Sequence, residues 1–330
     1  AAFMGDTRFR DGVRRYMAAH KYGNATSADF FGAMAEVAGD PRILPAMQSF
    51  TDQQGVPLVT FARAGKNKWT VTQSRYTQLG TTPPETRWGI PLCVRQGEAR
   101  NCQLLDTKDG TVSTQGKGPL MPNAGGTGYY RFELPKADWD ALIGRADKLD
   151  GNEALALADS LRASFQAGRA NVKQLVALAR KLARNPDSHA NDVAFDALEA
   201  LRSAGLFDEA ATLSYRRLVA STYQPMYRQL KIDFAAGAYA GADPEAVQGK
   251  ASVIDGLTGI AKDNVVNARL VAAADAFLKG DKAALDPMWY GPALAAWLDG
   301  KGVDGAKDLF GRALASQDPA IRPTLLGTIG

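Results

Sequence analysis

The run Ile90-Pro91-Leu92-Cys93-Val94-Arg95-Gln96-Gly97-Glu98-Ala99-Arg100-Asn101-Cys102-Gln103-Leu104-Leu105 decides how the middle of this 330-residue chain folds. Two strand-like segments meet at Gly97-Glu98, and glycine at the first central position signals a two-residue type II′ hairpin turn. Counting back from the turn, Gln96 pairs with Ala99, Arg95 faces Arg100, Val94 pairs with Asn101 and Cys93 faces Cys102. The cysteines then fall at a non-hydrogen-bonded site, where Cα atoms approach to about 4.5 Å and a disulfide can close. Arg95 opposite Arg100 counts slightly against this register, because like charges across a strand pair repel. A Cys93–Cys102 bond implies an oxidising compartment and hence export; the other reading is two thiols in a reducing cytosol.

Outward from the hairpin the pattern changes twice. Toward the N-terminus, residues 6 to 50 carry helical signals: Phe9, Val13, Tyr16, Met17 and His20 on one stripe, then Thr26 with Asp29 three residues on as a cap before Phe30, Phe31, Met34 and Val37. Asp40 and Pro41 predict the start of a third helix, with Pro45 as a source of bending. From Gly55 to Leu134 the period is two, and Trp69, Val71, Gln73 and Arg75 share one face of a strand. Short strands spaced like this over about 80 residues suggest a small β-sandwich. Beyond Pro135 the chain is alanine-rich and helical. Its stripes include Leu157, Leu161 and Phe165; Val193, Ala197, Leu198 and Leu201; and Ala210, Leu213, Arg217 and Leu218. No fixed repeat period emerges, so an irregular α-solenoid-like array is expected. The fold class is therefore mixed α and β and multidomain: a helical remnant over 1–52, a β-sandwich over 53–135 and a helical array over 136–330.

Composition narrows the chemistry. The chain is 45% hydrophobic and 22% charged, and 39 basic against 35 acidic residues leave a net +4, which calls for no nucleic-acid partner. No apolar run is long enough to span a membrane. His20 and His189 are the only histidines, and neither stands in H-E-x-x-H. His20 reads as a cap or packing group at a helix end, and His189 as a loop residue near a helix start. No G-x-S-x-G or Cys/His pairing marks a complete hydrolase, and the glycines at 125–126 lack the G-K-[ST] of a phosphate loop. The opening Ala1-Ala2-Phe3-Met4 has no signal-peptide pattern, and the sequence reads as a fragment.

The order of helical end, strands and helical array carries specific words. Phe9-x-x-Gly12-x-x-x-Tyr16, His20-x-Tyr22-Gly23-Asn24-Ala25-Thr26-x-x-Asp29-Phe30-Phe31 and Ser49-Phe50-Thr51-x-Gln53-x-Gly55-x-Pro57-Leu58 resemble the stretch that closes the thermolysin-like domain of zinc aminopeptidases. The family is that of aminopeptidase N, among the gluzincins. The resemblance continues through Gln73-Ser74-Arg75-Tyr76, Trp88-x-Ile90-Pro91-Leu92, Gly128-Tyr129-Tyr130-Arg131 and Leu157-x-Asp159 with Gly168. It implies the C-terminal part of such an enzyme, exported in a bacterial type to the periplasm or beyond. In that family the zinc ligands, the G-x-M-E-N strand and the catalytic tyrosine lie before the segment matching Phe9. None of these is present, so no catalytic residue and no metal ligand is carried over. Zinc belongs to the parent enzyme and no cofactor to this part. The expected partners are the missing N-terminal and catalytic domains and a peptide substrate.

The resemblance leaves this part the role of a cover: in that family the sandwich props the catalytic domain and the helical array curves over the active site, limiting peptide length. Arg216, Arg217 and Arg228, among Tyr215, Tyr223 and Tyr227, are candidates for receiving a peptide carboxylate through guanidinium forks. The competing reading is a solvated helix face with tyrosines wedged between neighbours. Gln73 and Arg75 read as sandwich-face residues, with an interface to a neighbouring domain as the functional version. The alternative for the whole chain is a freestanding β-sandwich plus helical-repeat module that binds a protein or peptide. Gly205-Leu206-Phe207-Asp208-Glu209-Ala210-Ala211 with Tyr215 gives it slight support, although the W-x-x-L-G-x-x-Y opening is absent.

Overall fold

The computed structural model describes residues 4–319 and 321–330. The opening Ala1-Ala2-Phe3, read above for a leader, lies outside the described residues. The chain is mixed α and β and divides into two compact units, residues 1–198 and 199–330.

The first unit opens with α1 (Asp6–Ala19), α2 (Ser27–Ala38) and α3 (Ile43–Thr51). The Thr26/Asp29 capping box forms on both sides: Thr26 N–H donates to the Asp29 carboxylate at 2.8 Å and Asp29 N–H to Thr26 Oγ1 at 3.3 Å. The bond from Thr26 N–H, with a second from Thr26 Oγ1–H at 2.7 Å, holds the Asp29 carboxyl below its ordinary range. His20 is the C-cap of α1, its ring 5.3 Å from Tyr16. The third helix begins two residues later than Asp40-Pro41 suggests, and the Asp40 carboxylate accepts from Arg42 N–H at 3.0 Å and from the Arg42 guanidinium at 2.9 Å. Pro45 then lies in the first turn, where a missing N–H costs nothing.

Seven strands follow in two sheets. They are β1 (Pro57–Gly65), β2 (Lys68–Arg75), β3 (Ile90–Gln96), β4 (Ala99–Leu105), β5 (Asp109–Ser113), β6 (Leu120–Met121) and β7 (Arg131–Glu133). One sheet has the order β5-β2-β1-β7 and the other β4-β3-β6. β1 pairs antiparallel with β2 but parallel with the distant β7. Alternation works as the sequence predicts: Trp69, Val71 and Gln73 are buried along β2, and the intervening residues face outward. The β3–β4 register is Gln96↔Ala99, Arg95↔Arg100, Val94↔Asn101 and Cys93↔Cys102. Gly97 has φ 58°, as the first position of a II′ turn requires.

Helices α4 (Lys136–Ile143), α5 (Gly151–Gln166), α6 (Val172–Leu182) and α7 (Ser188–Asp192) complete this unit, and α8 (Asp196–Ser203) contains the division. The stripe expected from Val193 to Leu201 is interrupted by a 3-10 turn over Val193–Phe195, so it lies on two short elements rather than one helix.

The second unit contains α9 (Glu209–Leu230), α10 (Pro244–Asp255), α11 (Asn264–Leu278), α12 (Tyr290–Ala315) and α13 (Ile321–Ile329). The buried face of α9 is Tyr215, Leu218, Val219, Thr222 and Tyr223. This corrects the stripe read from Leu213 and Arg217, both of which face solvent. A π-helical turn, Gly256–Ile260, follows α10 against this face. A Cβ on Gly256 would lie 2.5 Å from the Tyr223 ring, so glycine is what lets α9 approach.

Candidate functional site

The sequence words that set this chain apart prove to be joints within the first unit. Gln73, 2% exposed, donates to the carbonyls of Trp88 at 2.9 Å, Leu105 at 3.3 Å and Thr107 at 2.8 Å, and accepts from Trp88 N–H at 2.8 Å. Its amide is fully committed, which removes it from any interface with a neighbouring domain. Gly89 N–H donates to Ser49 Oγ at 3.0 Å, and a Cβ there would lie 2.5 Å from that of Ala46; α3 rests directly on the lead into β3. Arg131 makes a two-pronged bond to Asp159 at 2.9 Å and lies 4.4 Å from the centre of the Tyr76 ring. Tyr130 donates to the Pro122 carbonyl at 2.7 Å, and its burial pushes the phenol's ionisation far above its ordinary range. These contacts bind helices, strands and α5 together.

Two carboxylates that sequence reading passed over act as hubs. Glu153, 1% exposed, accepts from Arg95 Nε at 2.8 Å and from Gly125 N–H at 2.9 Å, and its second oxygen accepts from Arg95 Nη2. This pairing neutralises Arg95 and so offsets the like-charge contact with Arg100 that counted against the hairpin register. Glu133 accepts from Trp139 Nε1 at 2.8 Å, Ser164 Oγ at 3.0 Å and Arg169 Nε at 2.9 Å. The available signal for Glu153 was Asp150 three residues before it, which reads as a cap. Asp150 does accept from Glu153 N–H at 2.9 Å, but the Glu153 side chain reaches across the fold.

Cys93 and Cys102 are bonded, with Cα atoms 4.0 Å apart. Closing so short a loop restricts the unfolded chain, so reduction should lower the stability of the first unit by about 2 to 3 kcal/mol. Thiol titration in denaturant should find almost no free sulfhydryl before reduction, and urea unfolding with and without reductant should give the difference.

The three candidate arginines all lie on α9 and all are exposed, with no ion pair among the described residues. Helix geometry places Arg217 and Arg228 about 20° apart around the axis but about 16 Å apart along it, while Arg216 is turned by about 100° from Arg217. The structure therefore does not gather them into one fork. Pro225 interrupts the backbone ladder between them. The tyrosines of the cluster are spoken for: Tyr215 is buried near Glu199, and Tyr227 accepts from Arg269. Burial, then the Glu199 carboxylate, pushes the Tyr215 phenol well above its ordinary range, while a bond from Arg202 holds Glu199 low.

An apolar cavity of about 250 Å³ opens between the helical end and the strands of the first unit, walled by Met34, Ile43, Phe50, Leu104 and the exposed Tyr129. Among the described residues no three of His, Cys, Asp or Glu are grouped to hold a metal ion, so the residues present do not fit zinc. No described helix is long and apolar enough to cross a membrane.

Comparison with known proteins finds aminopeptidases among the relatives of this chain. The Tricorn protease-interacting factor F2 of Thermoplasma acidophilum is 26% identical over 175 residues, covering 53% of this chain and 21% of that protein. The puromycin-sensitive aminopeptidase of Caenorhabditis elegans is 25% identical over 198 residues, 56% of this chain and 21% of its own length. The alanine/arginine aminopeptidase of Saccharomyces cerevisiae is 25% identical over 211 residues, 62% of this chain and 24% of its own. The chain thus spans between a fifth and a quarter of the length of these relatives. The family model described as ERAP1-like C-terminal domain matches residues 120–330, from the short strand β6 through the last helix. With well over half its length so matched, the chain belongs to the ERAP1-like C-terminal domain family, the C-terminal part of M1-type aminopeptidases.

Proposed function

We propose that this chain is the non-catalytic support and cover of a zinc aminopeptidase that removes N-terminal residues from peptides. The observation that carries the reading is the family match over 120–330 together with aminopeptidases among the relatives. In this reading 1–52 closes the catalytic domain, 53–135 is a two-layered β-sandwich prop, and 136–330 is a solenoid-like array curving over the cleft. The apolar cavity beside α2 and α3 suits the surface on which the rest of a catalytic domain would rest. Such a peptidase needs zinc to polarise the scissile carbonyl and a glutamate as base. Among the described residues no cluster of ligands is grouped to hold that zinc, and in this reading the chain's own contribution is to exclude long substrates and orient their far ends. Export rests on the disulfide alone; the relatives' names lend it nothing, one being a mitochondrial aminopeptidase of yeast.

The purified chain should neither retain one zinc per molecule nor cleave aminoacyl anilides. Turnover that survives stringent purification, or stoichiometric tightly held metal, overturns the reading.

Within it, Arg217 and Arg228 share a face of α9 and are the stronger candidates for a peptide's terminal carboxylate, with Arg216 turned aside. A contact made equally in ground and transition states raises KM when removed and leaves kcat alone. In the whole enzyme, Arg217→Ala or Arg228→Ala should raise KM by about three- to tenfold for a free-acid peptide and leave its C-terminal amide unchanged. Identical responses of the two peptides return these arginines to a solvated face.

A further inference from the structure

A second cavity of the first unit, about 380 Å³, lies between the tip of the β3–β4 hairpin and the end of α4. Its wall carries Arg95, Lys117, Arg145 and Lys148, and no carboxylate is part of it. Its floor is apolar, formed chiefly by Met121, Leu142 and Leu149. Lys117, Arg145 and Lys148 are exposed and make no ion pair among the described residues. Arg95 is already paired with Glu153, which leaves Lys117, Arg145 and Lys148 as three unpaired cations on one concavity; they repel one another, an arrangement that a bound anion relieves.

The walls are held in place independently of any ligand. Arg95 is fixed by Glu153 and donates from Nη1 to the Gly97 carbonyl at 2.7 Å, yet its side chain keeps 31% exposure toward the cavity. The loop bearing Lys117 is tied to the hairpin by Gln96 Nε2, which donates to the Gly118 carbonyl at 2.8 Å. On the opposite side, the buried Asn185 donates to the carbonyls of Ala146 at 2.8 Å and Leu149 at 3.0 Å, pinning the turn that carries Lys148. The nearby acidic groups are engaged or at the margin: Asp147 pairs with Lys181, Asp150 caps α5, and Glu98 sits in the hairpin turn.

From this geometry we propose that the cavity is a binding site for a compact organic anion bearing two or more negative charges. The volume falls at the small end of ordinary ligand pockets. One monocarboxylate would neutralise one of the three unpaired cations, whereas a diphosphate or polycarboxylate can meet all three, and the apolar floor accepts a carbon skeleton. The site is remote in kind from the peptide-carboxylate reading of α9 and stands whether or not that reading holds.

The test is calorimetric titration of the 330-residue chain at constant ionic strength with inorganic pyrophosphate and, separately, with citrate. Saturable one-to-one binding of either supports the site; the tighter of the two assigns a phosphorylated or a polycarboxylate ligand. Arg145→Gln and Lys148→Gln, both surface changes, should each weaken binding about three- to tenfold. Lys66→Gln, on the exposed β1–β2 turn, should leave it unchanged. Absence of saturable binding by both probes overturns the proposal, as does an equal loss in Lys66→Gln, which would mean diffuse surface charge.

Discussion

Trp139→Ala should destabilise the first unit by about 4 kcal/mol, enough to leave it largely unfolded at moderate urea concentrations. Trp139 is 2% exposed and stacks on Phe132 with ring centres 5.2 Å apart. Truncation removes that packing and also takes away one of three donors to the buried Glu133 carboxylate. Trp139→Phe keeps most of the ring and loses the indole donor, so its effect should be about 1 to 2 kcal/mol. Urea midpoints read from amide exchange in β1 and β2 separate the two variants. Equal midpoints for phenylalanine and alanine would show that the hydrogen bond, and not the packing, dominates.

Glu153→Ala should cost about 3 kcal/mol. Removing one partner of a buried pair strands the other, typically at 3 to 5 kcal/mol. The lower end applies because Arg95 retains some access to water. Gly125 N–H loses its acceptor in the same change. Glu153→Gln restores an acceptor without the charge and should recover part of the loss. If alanine and wild type unfold at the same urea concentration, the Arg95–Glu153 pair contributes nothing net, and Arg95 is held by the hairpin alone.

Much of the first unit was legible in sequence because its signals are local. The hairpin register follows from one glycine and a period of two, and the α2 start from a threonine and aspartate three residues apart. What escaped depends on distant partners. Glu153 sits in capping position, and nothing near it shows that its carboxylate will meet Arg95 from another element. The phase of α9 was misread because Tyr215 and Tyr223 supply its buried bulk, whereas Leu213, the obvious aliphatic, stays exposed. The candidate arginines could be found by composition, but whether they converge is a question of angle and rise along one helix. Helix geometry separates them.

The parallel pairing of β1 with β7 has a kinetic consequence. Leu58 and Val59 find partners in Arg131 and Phe132 only after the second sheet's strands have intervened in sequence. As a nascent chain emerges, the β1–β2 hairpin can form early, yet the outer edge of β1 stays uncovered until β7 has been synthesised. An unpaired edge at Leu58, Val59 and Thr60 is a template for association with other chains. Late closure of this edge therefore makes the interval between completion of β2 and arrival of β7 the point in biogenesis most exposed to aggregation, and a reason for slow folding.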